Sequence, residues 1–279
     1  MREIHSNEIV DCLEKLFIDA NINLSQSVLE CFERSIEKEE SPAGKEVFRE
    51  LIKNALTAKE ENMPICQDTG LAVTFIEIGQ DVHIAGGNLI DAVNEGVRRA
   101  YSKGYLRKSC CHPFTRKNTG DNTPAILHTR IVPGNKVKIT VLPKGGGSEN
   151  YGEVRMLTPS QGWEGVKAFV LEMVNKGGPN PCPPIIVGVG IGGNFETSAL
   201  LSKEALMEPL GKRNDDSAIG ALEIELLEAI NKTGIGPQGY GGTITALDVH
   251  IKMMPCHIAS LPVAVNIQCH AHRIKEAIL

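Results

Sequence analysis

Aromatic residues make up only 4% of the 279-residue chain. No apolar run approaches the roughly 20 residues needed to cross a bilayer, which argues against a spanning helix. The start, Met1-Arg2-Glu3-Ile4-His5-Ser6, carries an acid and lacks the apolar core of a secretory leader, so the expected location is cytoplasmic. There is no long basic block, and the net charge is −5. Nothing therefore favours nucleic acid or an anionic membrane, although a locally basic pocket for a small anion stays open. The sequence also lacks paired C-x-x-C spacing and a ferredoxin-like cysteine run, and it has no internal repeat or low-complexity segment. Its eight cysteines, without a leader, do not read as a disulfide framework. A metal site would have to gather ligands that are far apart in sequence.

What is present is an ordinary globular composition, with 42% hydrophobic and 23% charged residues. The 28 glycines and 15 prolines point to tight loops between short elements. Up to residue 60 the apolar spacing is helical: Ile9, Leu13, Leu16 and Phe17, then Val28, Leu29, Phe32 and Ile36, then Val47, Leu51 and Ala55 after Ser41-Pro42. Beyond Met63-Pro64 the texture changes. Strands are expected at 71–78, 125–131, 137–142, 184–189, 243–251 and 263–267, and helices at 89–101, 163–174, 196–207 and 217–230. The fold class is mixed α/β (α+β), with an N-terminal helical segment at 1–62. A mixed sheet with helices and Gly/Pro-rich loops follows at 63–279, continuous with that segment.

Three cysteine segments carry chemistry. In Pro64-Ile65-Cys66-Gln67-Asp68-Thr69-Gly70, Pro ends a helix and Gly permits a turn, so Cys66 sits on a loop beside an amide and a carboxylate. The alternative is a buried structural cysteine, which the polar triplet after it disfavours. Asn180-Pro181-Cys182-Pro183-Pro184 excludes helix and leaves few backbone amides to compete for a thiolate; a Pro-rich turn in which Cys merely fills space is the other reading. Ile267-Gln268-Cys269-His270-Ala271-His272-Arg273 ends a strand-like run and suits a thiolate or an anion site, against a plain polar tail.

These segments, with Lys144-Gly145-Gly146-Gly147-Ser148-Glu149-Asn150 and with Gly190-Ile191-Gly192-Gly193 after Cys182-Pro183-Pro184, resemble the class I iron–sulfur fumarases and L-tartrate dehydratases. The match is to the alpha subunit of the two-subunit forms, and it runs in order from about residue 60 to the C-terminus. The resemblance implies a [4Fe–4S] cluster held by Cys66, Cys182 and Cys269, with one iron open to substrate. It implies reversible hydration of a small dicarboxylate, fumarate to L-malate first and L-tartrate as the alternative. It places Gln67 and Asp68 against substrate, with Asp68 as a proton-transfer group. Arg107 would lie on a substrate carboxylate, for which the guanidinium fork is suited. Gly146 and Gly147 would let backbone amides approach the other carboxylate, and His257 would reach the site from a neighbouring protomer. By the same resemblance a separate beta subunit supplies further catalytic groups, the base among them, in an α2β2 assembly. Unaided, Arg107 reads as a surface arginine, His257 as a structural histidine and the glycine triplet as a loop.

Two rival readings compete. Gly188-Val189-Gly190-Ile191-Gly192-Gly193 matches G-x-G-x-x-G, with Asp215 and Asp216 downstream, and would make the chain an NAD-binding oxidoreductase. The polar stretch 208–217, however, does not look like the second strand that motif needs. Cys110-Cys111-His112, or Cys256-His257 with His270 and His272, could form a zinc site, but no paired spacing supports either. Cys12 and Cys31 lie in helical segments and are expected in the core.

Overall fold

A computed structural model describes residues 1–279. In chain order its first half comprises β1 (Arg2–His5), α1 (Ser6–Ile22), α2 (Gln26–Lys38), α3 (Pro42–Glu60), β2 (Leu71–Gly79), β3 (Val82–Ala85), α4 (Leu89–Lys103), β4 (Ile126–Val132) and β5 (Val137–Lys144). There follow α5 (Gly146–Glu149), β6 (Glu153–Leu157), α6 (Gly162–Gly177), β7 (Ile185–Gly192), α7 (Phe195–Ala205), α8 (Ser217–Asn231), β8 (Ala246–Met254), β9 (Leu261–Gln268) and β10 (Lys275–Ile278). The fold is mixed α/β. No helix is long and apolar enough to cross a membrane.

Every helix expected from apolar spacing forms, and local chemistry sets the ends. The His5 side chain accepts from Asn7 N at 3.2 Å while Glu8 reaches back to His5 N at 2.8 Å, closing a capping box on α1. Ser41 Oγ accepts from Gly44 N at 3.2 Å, one residue before Pro42 opens α3. The N-terminal segment is not wholly helical, because Arg2–His5 pairs in parallel with Val82–Ala85. Four residues are too few to show a period. The strands β3 and β10, four residues each, and β6, five residues, escape the pattern for the same reason.

The chain forms two compact units, each made of separated stretches. The first comprises Met1–Ser25, Asn54–Gly146 and Arg273–Leu279. Its sheet runs β10-β5-β2-β4, with β4 parallel and β5 antiparallel to the central β2. β4 and β5, joined by the turn at 133–135, thus flank β2 and do not pair with each other. One face of this sheet and the helices α1 and α4 share a core that includes Ile9, Leu13, Phe17, Val97, Ile76 and Val141. Gly96 lets the two helices close up, since a Cβ there would stand 2.7 Å from the Leu13 Cβ.

The second unit comprises Gln26–Lys53 and Gly147–His272. Its sheet runs β6-β9-β7-β8, with β8 parallel and β9 antiparallel to the central β7. All eight residues of β7 are buried, and its core joins Val187, Val189 and Ile267 to Phe169 and Met173 of α6 and Leu226 and Ile230 of α8. Burial on both faces explains why this strand reads as a continuous apolar run without alternation.

Candidate active site

In both units the loop entering the central strand lies beside the segment leaving its antiparallel neighbour. In the first unit Leu71 pairs with Lys144, so the Cys66–Gly70 loop meets Gly145 and Gly146. In the second Ile186 pairs with Gln268, so the Cys182 loop meets Cys269 and His270.

The Cys66 loop is pinned from several sides. Ile65 N donates to Asn21 O at 2.9 Å, and Asn54 Nδ2 to Ile65 O at 3.0 Å. Thr69, 1% exposed, donates its hydroxyl to Arg107 O at 3.0 Å. The Tyr101 hydroxyl lies 2.9 Å from Thr69 O and 2.8 Å from Gly70 O, where its single proton serves either carbonyl. Burial pushes that phenol well above its usual pKa, against the opposing pull of Arg273, so it stays a neutral donor. Gly70 has φ +79°, and a Cβ there would stand 2.6 Å from Lys144 N, so both the turn and the close approach need glycine.

This framework orients Asp68. One carboxylate oxygen accepts from Gly70 N at 2.9 Å, the other from Gly146 N at 2.8 Å. Its main-chain oxygen accepts from Arg273 Nη1 at 2.6 Å. Half-buried Cys66 has its Sγ 3.2 Å from Oε1 of exposed Gln67. The Gly146 amide, expected to face substrate, is thus already engaged by Asp68.

Arg107 is exposed and its guanidinium is in no ion pair, while its backbone is fixed by Thr69. The loop after it hangs on Asn122, fully buried with φ +63°. Asn122 Oδ1 accepts from Ser109 N at 2.6 Å and Cys110 N at 3.1 Å, and its Nδ2 donates to Gly70 O at 3.2 Å. The arginine and the Cys66 loop therefore belong to one hydrogen-bonded assembly.

In the second unit Cys182 is exposed and takes φ +58°. Its N–H is spent on Pro179 O at 3.0 Å, its Sγ lies 3.8 Å from Asn180 O, and its carbonyl accepts from His270 N at 3.3 Å. Gln238 Nε2 lies 2.6 Å from Pro183 O and 3.1 Å from His270 Nδ1, which ties the two loops together. Half-buried Cys269 has its Sγ 3.8 Å from Ala271 O. A Cβ on Gly147 would stand 3.4 Å from Asn180 O, so this glycine borders the Cys182 loop. None of the eight cysteines is in a disulfide.

His257 lies elsewhere. It is exposed in the turn between β8 and β9, where its Nδ1 accepts from Ala259 N at 3.1 Å. Cys269 follows the far end of β9, whose eight residues span about 25 Å at ~3.3 Å per residue. The structure therefore brings Cys182 and Cys269 to one end of the second sheet and leaves His257 at the other.

The same geometry removes the rival readings. Gly188 and Gly190 lie inside β7, not in a loop, and a Cβ on either would run into the carbonyls of Ser202 and Ser198 on α7. These glycines serve helix–sheet packing. Asp216 is the N-cap of α8, accepting from Ala218 N at 2.9 Å, and does not close a second strand. The Cys256-His257 pair is separated from His270 and His272 by the length of β9. Cys12 and Cys31 are half-buried rather than core; Cys12 packs on the first unit's apolar cluster, and burial pushes both thiols up.

Tyr101, Asn122 and Gln238 support the site without having been foreseen. Their roles rest on contacts between residues distant in sequence, and none carries a local motif. Arg273 was legible only as a cation near Cys269.

The chain has counterparts among known proteins. Residues 10–278 match the family model described as fumarate hydratase (Fumerase), and the chain belongs to that family. It is 42% identical over 272 residues to a Methanocaldococcus jannaschii protein that bears the provisional name L(+)-tartrate dehydratase subunit alpha, covering 95% of each chain. It is 33% identical over 271 residues to the L(+)-tartrate dehydratase subunit alpha of Escherichia coli K12, covering 96% of this chain and 89% of the relative. The Shigella sonnei protein of the same name is similar to the same extent.

Proposed function

We propose that the chain is the alpha subunit of a hydro-lyase that reversibly hydrates a four-carbon dicarboxylate, with fumarate and L-malate as the main pair. The observation that carries this is Asp68, set by two backbone amides on the same short loop as the Cys66 thiol. A second reading, dehydration of L-tartrate, is favoured by the names of the relatives.

The donor set fits an iron–sulfur cluster. Cys66, Cys182 and Cys269 are thiols outside any disulfide, each partly or fully exposed, on loops stiffened by hydrogen bonds. They would hold a [4Fe–4S] cluster through thiolates. When bound, it would supply an open iron as a Lewis acid for hydroxyl and carboxylate oxygens.

The remaining chemistry falls to side chains. Arg107, anchored at its backbone with a free guanidinium, pairs with one substrate carboxylate and orients it. Gln67, exposed next to Cys66, contacts substrate, and Gly147 offers backbone approach to the second carboxylate. Asp68 delivers the proton to the departing hydroxyl in the dehydration direction. The base that removes the proton alpha to a carboxylate belongs to the beta subunit. His257 would serve a site on another copy of the chain, since β9 separates it from Cys182 and Cys269 of its own. An α2β2 assembly satisfies both requirements.

The test is to purify the chain anaerobically with the product of the adjacent gene. The expected result is a brown, iron-containing complex that converts fumarate or L-tartrate. A colourless, iron-free complex inactive on both would overturn the proposal.

A further inference from the structure

Arg273 is the largest side chain buried in the molecule, 2% exposed, and it is in no ion pair. Its hydrogen bonds go to two neutral oxygens, Asn21 Oδ1 at 3.0 Å and Asp68 O at 2.6 Å. Its Nε has no partner at all. A buried cation with no acid in contact is costly, and a fold that needed Arg273 only as a brace would do better with aspartate at position 21. Asn21 is itself fully buried and donates to Phe17 O at 2.9 Å, so the amide is specified. The cation also faces the site. The point where a Gly145 Cβ would stand is 3.1 Å from Asp68 Oδ2 and 3.5 Å from Arg273 Nη2, so a side chain there would fill the gap between them.

We propose that Arg273 is a positioning residue with an electrostatic task. It fixes the Asp68 peptide and keeps behind the loop a positive charge that no carboxylate contacts, so that the site favours dianionic ligands over monoanionic ones. This deepens the dicarboxylate reading above and rests on it.

Asn21→Asp separates charge from bracing, because it keeps an acceptor for Arg273 while cancelling the cation. The probes are succinate and butyrate, dianion and monoanion, titrated calorimetrically into the complete αβ complex alongside thermal unfolding and turnover. The expected result is unchanged or higher thermal stability, succinate affinity weaker by about tenfold, butyrate affinity within about threefold, and a raised KM with little change in kcat. Arg273→Lys should retain succinate affinity within about threefold, since it keeps the charge and loses only the fork. Asn21→Asp that folds normally and binds succinate like the wild type would overturn the proposal, as would a wild-type complex that does not discriminate succinate from butyrate. A wild-type complex that binds succinate, loses it on Asn21→Asp, and yet converts neither fumarate nor L-tartrate would support Arg273 and overturn the reaction instead.

Discussion

The two units share one sheet plan and use it differently. In each, the central strand has a parallel neighbour on one side and an antiparallel one on the other, with a fourth strand beyond the antiparallel one. In each, the loop entering the central strand and the segment leaving the antiparallel strand are neighbours. The first unit fills these positions with Cys66, Asp68 and the glycines after β5; the second fills them with Cys182 and Cys269. Cys66 and Asp68 thus lie on the one unit, Cys182 and Cys269 on the other. The helix contacts differ too. α7 lies directly on the backbone of β7 at Gly188 and Gly190, whereas β2 meets its helices through Ala72 and Ile76. A common topology thus offers equivalent loop positions, and the residues placed there decide what each unit does.

The largest break in this comparison should come from Asp68→Asn. It keeps the size of the side chain and removes the carboxylate that the Gly70 and Gly146 amides orient. kcat should fall about 100- to 1000-fold with the iron content unchanged, as judged by turnover and iron assay on one preparation. Near-normal turnover would remove Asp68 from the proton-transfer role.

Packing is the next contrast. Gly190→Ala pushes a methyl into the Ser198 carbonyl of α7 and should cost about 3 kcal/mol by urea unfolding. In the first unit Gly134→Ala has nothing within 4 Å of the new methyl and meets only the φ +105° backbone, about 1 kcal/mol. Equal losses would mean that α7 does not depend on the bare strand.

Acid should act on the second unit through its buried histidines. Burial drives His272 down to about 4 and lowers His250 as well. Both are therefore harder to protonate folded than unfolded. The stability this represents is complete above the unfolded value near 6.5 and is lost as pH falls toward the folded one. For His272 the loss should reach about 2 kcal/mol by pH 5, and His272→Leu should flatten a plot of melting temperature against pH. The smallest effect belongs to the exposed Lys138–Glu276 pair on β5 and β10, 2.8 Å apart, where Lys138→Ala should cost no more than about 0.5 kcal/mol.

Much of this was legible in the residues themselves. Helical spacing located every long helix, and apolar runs located β2, β5, β7, β8 and β9, because burial imposes those periods directly. The context of Cys66, Cys182 and Cys269 marked them as loop cysteines, and the structure puts them in loops. The glycines at 188 and 190 misled, since G-x-G-x-x-G looks the same whether a phosphate or a helix needs the bare backbone. Two sheets with one plan were invisible because topology repeats there without the sequence repeating. Asn122 and Arg273 act across dozens of residues or more, which no local pattern records.

The proposed function stands or falls on Cys66, Cys182 and Cys269 as the ligands of one cluster. Its most direct test is the iron and sulfide content of the anaerobic αβ complex across all eight single Cys→Ser variants, read together with the visible spectrum. Loss of the cluster is predicted for Cys66, Cys182 and Cys269, with retention for Cys12, Cys31, Cys110, Cys111 and Cys256. A cluster that survives any of the first three, or that is lost with any of the other five in a protein that still folds, would contradict it.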